Sequence, residues 1–422
     1  MKLLYIVLDG AADRVQDSPT SYEAAKTPVL DYLAKIGICG MMYTIGKGIA
    51  PESDTAVLSI LGYDPHKCYT GRGPLEALGA GIRIREGYEV AFRANFATID
   101  EATGKIIDRR CGRDLSNTEA KLLAKALDGM DLGLYEGYAR VAATIGHRAI
   151  VVIGSRSFEL SDKVSNTDPA YSKVGTISIA IREFRPYITK CKPLDESIEA
   201  RRTAELVNRF TSLAIEKLKE HEVNKEREAK GKLKANVILL RDAGGSLPKV
   251  EPISKRYNRR FAALTEMPVE KGIATLLGMT VAEVPPPTDD KRNDYLLRLK
   301  TVLKLIKTHD AVYVHLKGPD EPGHDKDLKR KAQAIELIDL YFMKPLIEEI
   351  NLKETCLLIT SDHATPWTVG AHTDDPVPVI LVSPKIKPDG VDRVSEKLCL
   401  EKGGLGLIEH GWDLLPKVFE LC

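Results

Sequence analysis

Leu3-Leu4-Tyr5-Ile6-Val7-Leu8-Asp9 is the first of three apolar runs that each end on metal-type ligands. The second is Val312-Tyr313-Val314-His315-Leu316-Lys317-Gly318-Pro319-Asp320, followed by His324. The third is Leu357-Leu358-Ile359-Thr360-Ser361-Asp362-His363, followed by His372. Runs of about five Ile, Val and Leu residues bounded by Gly, Pro and Asp read as strands buried on both faces. Such strands form an open, mainly parallel sheet, and ligands of that sheet gather beyond the strands' carboxyl ends. Asp9, Asp320 and Asp362 all lie at such ends. An isolated Asp there is ordinarily a turn or cap residue, and an isolated buried His ordinarily donates to a backbone carbonyl. Here Asp9, Asp320-x-x-x-His324, Asp362-His363 and Gly370-Ala371-His372-Thr373 supply three carboxylates and three imidazoles together. That set suffices for two divalent cations of mixed oxygen and nitrogen preference, manganese first, with zinc, cobalt and magnesium as alternatives.

Outward from these runs, strands and helices alternate, which predicts an α/β chain with a mainly parallel sheet sandwiched by helices. The spacing predicts helices near 29–36, 270–279 and 293–308, with a long amphipathic helix near 328–350. It also predicts strands near 38–45, 311–317, 356–361 and 377–383. All ligands come from the two ends of the chain, so residues 1–85 and 251–422 form a core domain and 86–250 an insertion. The insertion has its own strands, Val90–Ile99, Arg148–Ile153 and Asn236–Leu240, and a charged helix predicted over 194–226.

The chain has 422 residues, enough for two or three domains, and a hydrophobic fraction of 43% that is ordinary for a globular protein. Lys and Arg number 61 against 60 for Asp and Glu, and so balanced a charge points to no nucleic-acid partner. No run approaches the roughly 20 apolar residues needed to cross a bilayer. Met1-Lys2-Leu3 leads straight into a ligand-bearing strand, which predicts a cytoplasmic enzyme without a cleavable signal. The 7 cysteines lack C-x-x-C spacing and are expected to be reduced, mostly core thiols. Whether the chain forms a homo-oligomer is left open.

Ser53 stands in Pro51-Glu52-Ser53-Asp54-Thr55-Ala56-Val57-Leu58, where a Pro/Ser/Asp cluster precedes a helical apolar pattern. A serine in that position is ordinarily a helix cap. A helix N-terminus also favours an alkoxide and an incoming phosphate, and a hydroxyl bound to divalent cations ionises without a histidine base. With the ligand set, Ser53 becomes the expected nucleophile of a two-metal phosphoryl-transfer site.

Asp9-Gly10, Glu52-Ser53-Asp54-Thr55, His315-x-Lys317-x-x-Asp320-x-x-Gly323-His324-Asp325, Ser361-Asp362-His363 and Ala371-His372-Thr373 closely resemble the alkaline phosphatase superfamily. Within it the chain looks like the archaeal type of cofactor-independent phosphoglycerate mutases, over its whole length. The resemblance implies one cation on Asp9, Ser53, Asp362 and His363 and a second on Asp320, His324 and His372. It also implies interconversion of 3-phosphoglycerate and 2-phosphoglycerate through a phosphoserine, without 2,3-bisphosphoglycerate. A mutase, unlike a phosphatase, must exclude water and keep the glycerate, so the insertion is expected to be a substrate-binding lid rich in cations. The candidates in it are Arg113, Asp114, His147, Arg148 and Asp168, with Arg72, Arg241 and Lys317 nearer the core. The rival readings are another phosphotransferase of the superfamily, such as a phosphopentomutase, a phosphatase or a small-alcohol kinase, and a non-catalytic metal-binding protein.

Overall fold

The strand that begins at Lys2 lies in the middle of an eight-stranded sheet. In chain order the strands are β1 Lys2–Leu8, β2 Ile38–Met42, β3 Glu89–Ile99, β4 Ile106–Asp108, β5 Met130–Asp131, β6 Gly137–Ala143, β7 Arg148–Ser155 and β8 Tyr171–Val174. They continue as β9 Ile177–Ala180, β10 Val237–Gly244, β11 Phe261–Thr265, β12 Thr280–Glu283, β13 Ala311–Leu316, β14 Thr355–Thr360, β15 Val377–Val382 and β16 Gly406–Ile408. The structure is a computed structural model and describes residues 1–174, 177–181 and 183–422. Two compact units are present, Met1–Cys68 with Val250–Cys422, and Tyr69–Lys249.

The sheet of the first unit runs β12-β11-β13-β1-β14-β15-β2-β16. Every pairing is parallel except those of β15, so the α/β expectation holds. The three strands that end on ligand-type residues, β13, β1 and β14, are immediate neighbours. Their register sets Val7 beside His315 and beside Thr360, which brings the three carboxyl ends level. Both faces are covered, as the unbroken apolar runs require. Leu4, Ile6 and Leu8 pack with Val312, Val314, Leu316, Leu357 and Ile359 under the helices Pro28–Ile36, Lys291–Thr308 and Leu328–Ile338. On the opposite face the buried Tyr5 hydroxyl donates to the carbonyl of Ile60, in the helix Ser53–Ile60.

The predicted helix over 328–350 is interrupted by a π-helical turn, Asp339–Met343. Pro345 lacks the N–H that an unbroken ladder needs. The turn also brings the buried Asp339 carboxylate onto the backbone N–H groups of Val29 and Leu30, at 3.2 and 2.8 Å. It thereby caps the helix Pro28–Ile36, whose own Thr27 makes no side-chain cap.

The second unit holds an antiparallel sheet, β10-β3-β7-β6-β5, with helices Asn117–Leu127 and Ile198–Lys219 over one face. Helix Arg72–Gly79 packs on β3 and β10, so this unit begins at Tyr69 and not at residue 86. The helix predicted over 194–226 also divides. It ends at Lys219, and a new helix, Glu222–Ala229, starts where the His221 imidazole accepts the Val223 N–H at 3.2 Å.

The expectation of reduced thiols fails at one pair. Cys356 and Cys422 form a disulfide, while Cys39, Cys111, Cys191 and Cys399 are buried free thiols and Cys68 is half-buried. The C-terminal helix Leu414–Leu421 brings its last neighbour to the start of β14, a proximity that sequence spacing does not encode. No helix among the described residues is long and apolar enough to cross a membrane.

Candidate active site

Two groups of ligand-type side chains stand at the carboxyl ends of β13, β1 and β14. Asp9, Asp362 and His363 form one, and Asp320, His324 and His372 the other. The His363 ring stacks on that of His372 with centroids 3.7 Å apart, so the groups share a wall.

Gly10 permits this closeness. Its φ is +59°, and a Cβ there would stand 2.6 Å from an Asp320 carboxylate oxygen and 2.7 Å from the Thr365 hydroxyl. Its N–H donates to Asp362 Oδ1 at 3.0 Å. The His363 N–H donates to the same oxygen, which leaves Asp362 Oδ2 buried and without a hydrogen-bond donor. Asp9 is divided alike. Its Oδ2 is 3.2 Å from the Lys317 ammonium, whereas Oδ1 is buried and unpartnered. Both orphaned oxygens lie within 3.6 Å of His363 Nε2, at 3.6 Å from Asp9 and 3.2 Å from Asp362. Buried carboxylate oxygens without donors are costly unless a cation meets them, so the donor set fits a divalent metal.

The imidazoles are turned the same way. Nδ1 of His372 donates to the Pro51 carbonyl at 2.9 Å, and Nδ1 of His324 to that of Gly370 at 3.2 Å. The Thr365 hydroxyl donates to Asp320 Oδ1 at 2.7 Å, so His363 Nδ1, 3.0 Å away, donates to it. Each ring then offers its Nε2 lone pair. Nε2 of both His324 and His372 is 3.5 Å from Asp320 Oδ1. Ser53, the first residue of its helix, places Oγ 3.3 Å from His363 Nε2.

The electrostatics follow from the crowding of charge. Burial opposes an imidazolium at His363, but Asp362, Asp320 and Asp9 outweigh it and raise the pKa to about 9. Burial likewise opposes the Asp9 carboxylate, yet Lys317, His315 and His363 hold it well below the usual range. Burial and Asp9 oppose charge on Asp320, and His372 and His363 prevail. Glu270 and Thr365 belong to this site although the sequence pattern does not single them out, and so does His315, which that pattern includes without giving it a role. Glu270 is 2.7 Å from Lys317 Nζ, and His315 Nε2 is 3.6 Å from both orphaned oxygens. His315 alone carries a signal, since it lies two residues before Lys317 in a ligand-bearing run.

The second unit contains a separate arginine cluster. Arg93 and Arg241 are directly opposite on β3 and β10, and Arg148 on β7 is paired with Asn95 two residues further along β3. Like charges facing each other across a ladder repel. Glu76, buried on the helix Arg72–Gly79, answers them at 2.6 Å from Arg72 and 3.5 Å from Arg93. Burial and mutual repulsion lower the pKa of Arg93 and of Arg148. The same causes lower His147 to about 4. The Nε of Arg93 and the Nε and Nη1 of Arg241 are buried without hydrogen-bond partners. An anion with several oxygens satisfies such a cluster.

Of the residues expected to hold substrate, Arg72, His147, Arg148, Asp168 and Arg241 gather here, and Lys317 lies beside Asp9 in the first unit. Asp168 holds Arg109 through both carboxylate oxygens, at 2.8 and 2.6 Å, and Arg109 and Arg241 lie over the Tyr171 ring. Asp114 does not join them. It is exposed and held by Arg227 and Lys232, because the fully buried Arg227 guanidinium must find carboxylates. Arg113 is exposed on a turn with φ +57°, close enough for its charge to disfavour protonation of His147.

Residues 34–224 match the family of 2,3-bisphosphoglycerate-independent phosphoglycerate mutases. A protein of that name from Aeropyrum pernix is 47% identical over 425 residues, which cover 100% of this chain and 99% of the relative. One from Archaeoglobus fulgidus is 41% identical and covers 100% of this chain and 98% of the relative. Among solved structures, the cofactor-independent phosphoglycerate mutase from Thermoplasma acidophilum aligns with a TM-score of 0.62 at 31% identity, covering 100% of both chains. A protein from Pyrococcus horikoshii aligns with a TM-score of 0.76 at 28% identity, covering 100% of this chain and 97% of the other.

Proposed function

The chain belongs to the family of 2,3-bisphosphoglycerate-independent phosphoglycerate mutases, and we propose from this that Ser53 carries the phosphoryl group while 3-phosphoglycerate and 2-phosphoglycerate interconvert. The observation that carries the proposal is the Ser53 hydroxyl 3.3 Å from His363 Nε2, next to a carboxylate pair with one unpartnered oxygen each. Asp9, Ser53, Asp362 and His363 would hold one divalent cation and Asp320, His324 and His372 a second, lowering the pKa of the serine hydroxyl and neutralising the transferring phosphoryl group. Carboxylates with imidazoles suit manganese, with zinc, cobalt and magnesium as alternatives.

Ser53 Oγ attacks phosphorus in line. The Oγ–P bond forms as the bond from phosphorus to the glycerate C3 oxygen breaks, and the proton given up by Ser53 ends on that oxygen. The C2 hydroxyl then attacks the phosphoserine, its proton leaves, and Ser53 recovers its hydroxyl. Lys317, kept charged by Asp9 and Glu270 against the effect of burial, supplies a fixed positive charge beside Asp9. The glycerate must stay bound between the two transfers. The Arg93, Arg148 and Arg241 cluster has the charge, and buried N–H groups that make no hydrogen bond, to hold a carboxylate.

The test is a coupled assay of 2-phosphoglycerate formation with and without manganese, beside an aryl phosphate and with acid-quench mass spectrometry. Manganese-dependent mutase activity with a phosphoryl group on Ser53 is expected. Turnover of the aryl phosphate alone, or a phosphoryl group on another residue, would reject the reading.

A further inference from the structure

Lys331 is fully buried on the helix Leu328–Ile338, outside both ligand groups. Its ammonium has three N–H bonds and meets three acceptors: the Ala12 carbonyl at 3.0 Å, the Thr365 carbonyl at 2.8 Å and Asp13 Oδ1 at 2.7 Å. These acceptors belong to the loops that leave β1 and β14. Ala12 follows Asp9 by three residues and Thr365 follows His363 by two. The helix of Lys331 itself begins just past the turn Asp320–His324.

The backbone knits the same segments. The Thr365 N–H donates to the Ala12 carbonyl at 3.1 Å, and Ala364 bridges to Ala11, to Ala12 and to Thr373, the neighbour of His372. Asp13 is satisfied on both oxygens, by the Ser21 N–H on one and by Lys331 and the Trp367 N–H on the other. The consequence runs through Thr365. Lys331 fixes its carbonyl, and its hydroxyl in turn donates to Asp320 and receives Nδ1–H of His363, one ligand from each group. Resting on the two-metal reading above, we propose that Lys331 is a positioning residue that sets the orientation of both ligand groups by clamping the Asp9 and His363 loops to its helix.

Buried ion pairs can often be replaced by apolar side chains of similar size without loss of fold, whereas removing one partner leaves a costly lone charge. The full chain is therefore compared as wild type, as Lys331→Met and as Lys331→Met with Asp13→Asn, by calorimetric titration with Mn(II). The double substitution is expected to weaken both sites together, by about tenfold or more, as loss of an outer partner of a ligand does. It should lower kcat while KM for 3-phosphoglycerate stays within about twofold, because the anion-binding arginines are untouched. Two Mn(II) ions bound as tightly as in wild type would overturn the proposal. Failure of both variants to fold would overturn it too, since Lys331 would then be a stability element alone. Fewer than two Mn(II) ions in the wild-type chain would instead reject the two-metal reading.

Discussion

Ser53 sits in the first turn of its helix and its hydroxyl meets His363, so its removal deletes chemistry and little packing. Ser53→Ala should keep the wild-type melting temperature and lose mutase activity by roughly four orders of magnitude or more. The coupled assay beside a thermal scan checks both halves, and activity within tenfold of wild type would remove Ser53 as the nucleophile. Arg241 makes the complementary case. It is 5% exposed and lies opposite Arg93, with an Nε and an Nη1 that make no hydrogen bond and only long ion pairs, at 3.6 Å to Asp242 and 4.0 Å to Asp168. Arg241→Ala should raise KM for 3-phosphoglycerate about ten- to a hundredfold, the effect of one or two charge-assisted hydrogen bonds. It should also increase inorganic phosphate released per 2-phosphoglycerate formed, with Mn(II) stoichiometry unchanged. Of these two residues Ser53 is legible from its Pro/Ser/Asp setting. Arg241 is one basic residue among many until β3 and β10 pair it with Arg93.

The helix Glu396–Lys402 begins with a fully buried glutamate whose Oε1 accepts the Asp13 N–H at 2.9 Å and whose Oε2 has no partner. Burial, with Asp13 adding to it, raises Glu396 from 4.5 to about 7. A carboxyl whose folded pKa is raised contributes stability in full below its unfolded pKa of 4.5. That contribution is lost as pH rises through about 7. Glu396→Gln keeps the acceptor and cannot ionise. The wild type should therefore lose up to about 3 kcal/mol between pH 5 and 8 that the variant keeps, read as a shift in urea midpoint. Identical pH profiles for the two would show that Glu396 ionises alike in the folded and unfolded chain, so that burial does not raise its pKa. The loop after β1 supports a steric prediction. Gly10→Ala sets a methyl group 2.6 Å from Asp320 in a backbone that L-residues rarely adopt. It should lower Mn(II) affinity at both groups, measured by the same titration. Long apolar runs make β1, β13 and β14 legible in the sequence itself, whereas the break at Glu220-His221 and the π turn at Asp339 are not. The π turn depends on what Asp339 finds across a gap in sequence, the N-terminus of a neighbouring helix, whereas the break at His221 is a local cap made by a residue type that does not ordinarily signal one.

Metal binding should couple to protonation over the whole chain. Without a cation, His363 holds a proton up to about pH 9 because three carboxylates surround it, and that proton occupies the lone pair a metal needs. Mn(II) added at pH 7 should release protons, seen as a dependence of the calorimetric enthalpy on buffer ionisation. The effect should fade above pH 9, and a proton count of zero at pH 7 would contradict it. Mn(II) should also raise the melting temperature, and a chelator should reverse the rise. Burial is a local property written in the spacing of apolar residues. The α/β class, the ends of the ligand-bearing strands and the helix start at Ser53 can therefore be read directly. Which ligands meet is not local. Asp9 joins Asp362 and His363 because β1 lies beside β14, and the Asp320 group abuts it because β13 lies on the other side of β1. Glu270, Thr365 and Lys331 become part of the site in the same way, through contacts between segments that pairing and packing alone bring within hydrogen-bond reach.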